Sequence, residues 1–452
     1  VACFLSLVKN TTLKRIEEMA LILLELNEVN FDAVNHYIDL YPGTLMGFEK
    51  LKALPSITTK AESKYEELEP WIQWPSLHTG LTYHEHNIFR LGDFVNSEDV
   101  QFFEAIESSG FKVGAISPMN ASNKLENPAY FIPDPWTKTP SDGSFLSQAI
   151  TSAIVQAVND NSKSKLTVKT IVNLVTAFIA LVNPLRYFSM LGYALKSFGK
   201  PWRKALFLDM LLYEIHKTLF SRKKPNFSTL FLNAGAHIQH HYFYNSSYVD
   251  SSDLTNPNWY VGENEDPFLE MLKIYDGMLL DLLNEKTSEI LIATGLSQAP
   301  FETVQFMYRL RDHGSFLTDI GIKFDQLSPR MTRDFLVSFT SEAEALQAEK
   351  VLSSILVNNE IKLFGEIDNR GKDIFVVLTY PYEIINDTTI ELSGMNVKLK
   401  DLVVFVCIKN GKHQSKGFAF FSEGLSNFAP DNGSHVSKLH GTVLEFFGIN
   451  KK

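Results

Sequence analysis

Short apolar runs that end in polar clusters recur along the chain, and stretches with helical spacing separate them. The first run is Ala20–Leu24, followed at once by Glu25, Asn27, Glu28 and Asn30. Branched apolar residues in an unbroken run predict a strand buried on both faces, and the polar residues after it predict an open strand end. Phe111–Ile116, Phe227–Leu232 and Glu289–Thr294 repeat the pattern, and Leu51–Thr58 reads as an edge strand. Between them, Val100–Ser109 places Phe102, Phe103 and Ile106 on one helical face before Gly110, and Pro267–Leu283 does the same with its leucines. Strand, polar end and helix in alternation predict an α/β fold with a doubly wound, mostly parallel sheet. In such sheets ligands sit at the C-terminal strand ends.

Two regions break the alternation. Residues 145–225 read as a helical cap inserted into the core. Within it Ile171–Val182 is strongly apolar and Pro184 ends it, well short of the roughly 20 residues a membrane span needs. A buried helix is the plainer reading; the flanking lysines and arginines make a membrane-surface segment the rival for the apolar 171–183 stretch. Residues 301–429 read as an α+β insertion: strand Phe335–Phe339, helix Glu342–Leu356, then strands Lys362–Glu366 and Asp373–Thr379, with two more at Leu402–Ile408 and Gly417–Phe421. The core is then 19–144, 226–300 and 430–452, and Ser434–Ile449 runs from a loop into a final helix. Residues 1–18 read as a peripheral extension before Met19, without the pattern of a signal peptide, which makes a cytoplasmic protein the expectation.

Composition narrows the function classes. A net charge of −10 argues against general nucleic-acid binding, which needs a basic surface. Two cysteines, Cys3 and Cys407, make neither a disulfide framework nor a Cys-rich zinc site.

The strand-end clusters carry the candidate chemistry. Trp71–Arg90 is dense in aromatics, hydroxyls and histidines, with Ser76 as a candidate nucleophile, Thr79 behind it, His78 as a nearby base, and His86 beyond. A helix cap is the alternative for Ser76. Asn233 and His237 follow the strand at 227–232, with His240 and His241 one turn on, and Gly433-Ser434-His435 precedes the last helix. Glu25 shares a strand face with Asn27, whereas Glu28 does not. Arg330 is a candidate clamp for an anion.

In order and spacing these pieces resemble the alkaline phosphatase superfamily, in particular its type I phosphodiesterase and nucleotide pyrophosphatase branch. The resemblance covers most of the core. It rests on Leu21–Val29, on Trp74–Gly80 with the following Leu81–Ile88, on Asn233-Ala234-Gly235-Ala236-His237, on Ile292–Ser297, and on Gly433-Ser434-His435. It implies an alkaline-phosphatase-like fold and two divalent ions, usually zinc. Of the six ligand positions, His237 and His435 keep the side chain, Asn27 and Asn233 replace aspartates, and Gly295 and Leu296 offer no ligand. Gln73 stands where some members place the nucleophile. The expectation is therefore one metal, zinc by preference, on Asn27, Asn233, His237 and His435. Asp312-His313-Gly314 reads like the missing Asp-His-Gly displaced by 17 residues, and makes Asp312 and His313 candidate substitutes.

Two functions follow from the resemblance. One is an atypical hydrolase or transferase, of phosphatase or phosphodiesterase type, acting on a phosphate or sulfate ester of a small molecule or glycan. The other is an inactive member that binds a phosphorylated or sugar ligand, or scaffolds a biosynthetic complex.

Overall fold

The computed structural model describes residues 19–159, 167–330, 333–365, 367–392 and 394–449, so the extension expected at 1–18 lies outside the described residues. The chain divides into two compact units. The first holds residues up to Asp250, Asn264–Pro300 and Gly411 onward; the second holds Ser251–Glu263 and Phe301–Asn410.

The first unit is built on a seven-stranded sheet. Its strands are β1 (Ala20–Leu26), β2 (Ser56–Lys60), β3 (Val113–Ile116), β4 (Tyr130–Ile132), β5 (Phe227–Leu232), β6 (Ser288–Ala293) and β7 (Lys416–Phe421), in the spatial order β2-β7-β6-β1-β5-β3-β4. From β6 to β4 all neighbours are parallel, and β7 alone runs against its neighbours β6 and β2. The expected α/β class with a mostly parallel sheet is what the chain forms. β1 is central, paired with β5 in the register Leu24↔Leu230 and with β6 in the register Leu24↔Ile292. Its residues from Leu21 on are buried, as are all of β5 and β6. Helices covering both faces explain why these runs do not alternate with polar residues.

Helices of this unit include α1 (Phe31–Leu40), α2 (Pro70–Thr79), α3 (Val168–Leu181), α4 (Tyr187–Lys196), α5 (Pro201–Lys223), α6 (Ala234–Tyr242) and α7 (Pro267–Asn284). Asn30 caps α1 by accepting from the backbone N–H of Asp32 and Ala33. Helix α2 carries Pro75 in its interior, which leaves the Trp71 carbonyl without its helical donor. The Asn120 side chain fills that role at 2.7 Å. Gly80, at φ 76°, ends α2 in the left-handed conformation that favours glycine.

Two departures from the expected elements have simple causes. The edge strand starts at Ser56, because Met46–Lys52 is a short helix. Ser297–Leu310, for which no strand was expected, is a long strand paired with Val403–Gln414, which runs past the expected Leu402–Ile408. Its far half buries Phe306, Tyr308 and Leu310, the period of two that a strand needs. The second unit contains two four-stranded antiparallel sheets and the helix Glu342–Ser353. The strand expected over Lys362–Glu366 is limited to Ile361–Lys362, and Glu366 lies outside the described residues.

Candidate metal centre

At the C-terminal edge of the parallel strands, β1 leads into Asn27 and Glu28, β5 into Asn233, and β6 into Thr294 and Gly295. Because β7 is antiparallel, its beginning lies at this same edge. That brings His413, three residues before β7, beside the end of β1. The backbone there is tightly fitted: a Cβ on Gly411 would stand 2.6 Å from the Gln239 carbonyl oxygen. Only glycine lets this segment approach α6 so closely.

Glu28 leaves the strand with φ 61°, in the left-handed region. The turn carries its side chain away from the face that strand alternation assigns to it. Its Oε2 lies 3.0 Å from His240 Nε2 and 3.0 Å from His413 Nε2, and the two Nε2 atoms are 3.2 Å apart. Three ligand atoms thus form a nearly equilateral triangle. Ligands of a zinc-sized ion, each about 2.1 Å from it, stand about 3.0–3.4 Å from one another. The Glu28 carboxylate is 2 % exposed, His413 12 % and His240 31 %, so the cluster opens to solvent on the His240 side. Burial pushes the Glu28 carboxyl up, but His413 and His240 outweigh it and hold the group below the ordinary carboxylate range. Burial pulls His413 down, and the Glu28 charge overcomes this and leaves its pKa raised.

The surroundings fix this triangle. Gln298 donates to Glu28 Oε2 and to the Ala236 carbonyl, Asn27 donates to Glu28 Oε1 at 3.0 Å, and Gln239 donates to the Glu28 carbonyl at 2.9 Å. Glu69, at the start of α2, places Oε2 3.5 Å from His413 Nδ1. A carboxylate behind the far nitrogen of an imidazole is the usual way a ligating histidine is oriented. On α5, Asp209 accepts from the backbone N–H of Asn233 and Ala234 and from the Tyr275 hydroxyl, which anchors the start of α6. Burial pushes the Asp209 carboxyl up to about 6.

The two-ion arrangement implied by the sequence resemblance does not fit these residues. Asn27 Nδ2 donates to Asn233 Oδ1 at 2.8 Å, and Asn27 Oδ1 accepts from the Trp74 indole at 2.8 Å. The two amides are spent on each other and on Trp74. A Cβ on Gly295 would meet the Trp74 ring at 3.3 Å, so the indole fills the space a longer side chain would need. Leu296 is fully buried against Ala61 and Leu68. His435 pairs instead with Glu62, 3.2 Å away, and the ring of His237 meets those of His241 and Tyr242. The expected set of Asn27, Asn233, His237 and His435 is therefore not one ligand cluster. Glu28, His240 and His413 fit a single ion in its place.

The expected nucleophile and base also hold other partners. Ser76 Oγ donates to the Ile72 carbonyl and lies 2.9 Å from His86 Nε2. The Ile88 backbone N–H donates to His86 Nδ1, so the proton of the neutral ring is on Nε2 and points at Ser76. This arrangement makes His86 a donor to Ser76, not a base for it. Burial holds His86 down at about 4. His78 is not beside Ser76 at all: its Nε2 is 3.1 Å from Glu25 Oε1, which also accepts from the Thr229 hydroxyl. Both residues are fully buried, which removes Glu25 from contact with a substrate. Thr79 donates to the Pro75 carbonyl, and Gln73 donates to the Glu67 carbonyl. His241 packs its ring against His237 and His240.

Asp312, His313 and Arg330 belong to the second unit, and their contacts there are local. Asp312 caps the helix His313–Asp319, His313 packs its ring against Phe335, and the Arg330 backbone pairs with Asp334. A further acidic and histidine group, Glu62, Glu67 and His84, lies in the first unit near His435, with His84 largely exposed.

No family model and no curated protein matches the chain. Solved structures do. Phosphonoacetate hydrolase from Sinorhizobium meliloti 1021, in complex with phosphonoformate, is 11 % identical with a TM-score of 0.40, over 94 % of this chain and 95 % of that one. Alkaline phosphatase from the Antarctic bacterium TAB5 is 10 % identical with a TM-score of 0.39, over 96 % and 99 %. Murine ectonucleotide pyrophosphatase/phosphodiesterase 5, in an inactive form with AMP, is 10 % identical with a TM-score of 0.41, over 96 % of each. The chain is similar to these hydrolases. At such identities no residue role passes from them to this chain.

Proposed function

We propose that this chain is an atypical hydrolase or transferase acting on a phosphate or sulfate ester, with one divalent ion held by Glu28, His240 and His413. The observation that carries the proposal is the triangle of those three ligand atoms, with edges of 3.0, 3.0 and 3.2 Å, at the open end of the central strand. Two imidazoles and a carboxylate suit zinc. The order of motifs along the sequence supports an anionic ester as the ligand. A bound ion would supply a Lewis acid for an ester oxygen and a water made acidic enough to attack near neutral pH.

The chain's own residues have definite parts in this reading. Glu69 orients His413 through Nδ1 and leaves Nε2 for the ion. Gln298 and Asn27 hold the Glu28 carboxylate in place. His240, at the exposed edge, leaves an approach for the ester. Ser76 is a structural hydroxyl, and the attacking group would be water in a hydrolase or the acceptor's own nucleophile in a transferase.

A second reading, ligand binding without turnover, is favoured by one observation: the amides of Asn27 and Asn233 are spent on each other and on Trp74, where the resemblance implies ligands of a second ion. Turnover of an aryl phosphate, an aryl phosphodiester and an aryl sulfate by zinc- and manganese-loaded protein separates the two. Hydrolysis of any of them that is lost in His413→Ala supports the enzyme. Metal-loaded protein that turns over none of the three overturns it.

A further inference from the structure

We infer that α3 and α4 form a docking face for an anionic lipid bilayer. In a water-facing helix the exposed side is polar and the covered side apolar. Here the exposed sides are apolar. On α3 the exposed positions Val168, Ile171, Val172, Val175 and Ile179 recur at helical spacing, while Ala177 and Leu181 are buried. The same holds after the turn at Pro184. Leu185 and Phe188 are each 90 % exposed, and Leu191, Leu195 and Phe198 continue the face along and beyond α4. Among the described residues, nearly half of the exposed large apolar side chains fall within this one segment.

Charge selects the occupant. Between Asp160 and Asp209 there is no acidic residue, although the chain as a whole carries −10. The same interval contains eight lysines and arginines, among them the exposed Lys196 and Lys204. Arg186, Lys200 and Arg203 are paired with Asp281, Glu265 and Glu270 of other elements, which leaves Lys196 and Lys204 as the exposed cations beside the apolar face among the described residues. An apolar face with exposed lysines at its border is the composition of a helix that lies in a bilayer interface and is drawn to anionic headgroups. The segment does not cross. Among the described residues no single helix is long and apolar enough, and the axes of Ile171–Leu181 and Pro184–Lys196 meet at a bend of 119°. The two helices present their apolar sides to the surface and remain on one leaflet.

The test is co-sedimentation of the full chain with vesicles of phosphatidylcholine alone and of phosphatidylcholine with 30 mol % phosphatidylglycerol. The chain is expected to pellet with the anionic vesicles, and less so as salt is raised. A Leu185→Asp/Phe188→Asp variant, changed at two of the most exposed positions, loses at least tenfold in bound fraction while keeping its thermal midpoint. Lys196→Glu/Lys204→Glu loses binding to the anionic vesicles specifically. Equal pelleting of wild type and Leu185→Asp/Phe188→Asp overturns the inference. So does wild type that pellets with neither vesicle, including the case in which it is a dimer in solution that the same variant splits, since the face is then covered by a second copy.

Discussion

His240 and His413 approach each other Nε2 to Nε2 at 3.2 Å, and the Glu28 carboxylate meets both. Two imidazole nitrogens that face each other can share at most one proton between them, and a cation between three such atoms satisfies them all. Removing the carboxylate therefore affects the histidines as a pair. Glu28→Gln lowers zinc affinity by at least tenfold while the fold is kept, because the amide can still accept from Gln298; isothermal titration of zinc into apo-protein measures this.

The Trp74 indole closes the position that the family resemblance reserves for a second ion. Asn27→Asp alone does not open it. The carboxylate would stand beside Glu28 and could no longer donate to Asn233, so the variant loses about 1–3 kcal/mol of stability in urea unfolding and gains no metal.

Ser76 and His86 are a structural pair on this account. Ser76→Ala retains at least half of wild-type kcat/KM on whichever ester is turned over, whereas a nucleophile would lose several orders of magnitude.

His86 also carries a pH signature. An exposed histidine titrates near 6.5, and His86 is held down at about 4 by burial. The unfolded chain therefore binds more protons than the folded one between those values. The stabilising part is present above pH 6.5 and is lost as the pH falls towards 4. In His86→Gln the difference in urea midpoint between pH 7 and pH 4.5 is smaller than in wild type.

Glu25 and His78 form a fully buried pair beneath the sheet's polar edge. Removing one partner leaves His78 without its carboxylate, or Glu25 with only the Thr229 hydroxyl, so Glu25→Leu and His78→Leu each cost about 3–5 kcal/mol, and the double variant recovers much of the loss. A double-mutant cycle by chemical unfolding reads the coupling.

The sheet was largely legible in the sequence because its central strands are unbroken apolar runs, and β5 was read over the same residues it occupies. The edge of the site was legible too: Asn27, Asn233 and the region of His237–His241 all lie there. The residues that form the cluster were harder to read. Strand alternation assigns Glu28 to the wrong face, and only the left-handed turn at φ 61° brings it round. His413 stands alone in a polar stretch, 173 residues from His240, and its place follows from the reversed direction of β7. The signal that could have found it is the strand at 417–421: in an otherwise parallel sheet, a reversed strand delivers the residues before it to the ligand edge. His78 and Ser76 mislead because closeness in sequence within one helix says nothing about which sides face each other. Residues two apart point about 160° away from one another.

Glu28, His240 and His413, and not the positions the resemblance implies, are the proposed holders of the one ion. Metal content by inductively coupled plasma mass spectrometry, on zinc-loaded and desalted protein, tests this most directly. One zinc per chain is expected in wild type, in His237→Ala and in His435→Ala, and none in His413→Ala. Zinc retained in His413→Ala but lost in His237→Ala or His435→Ala, or no zinc in wild type, would contradict it.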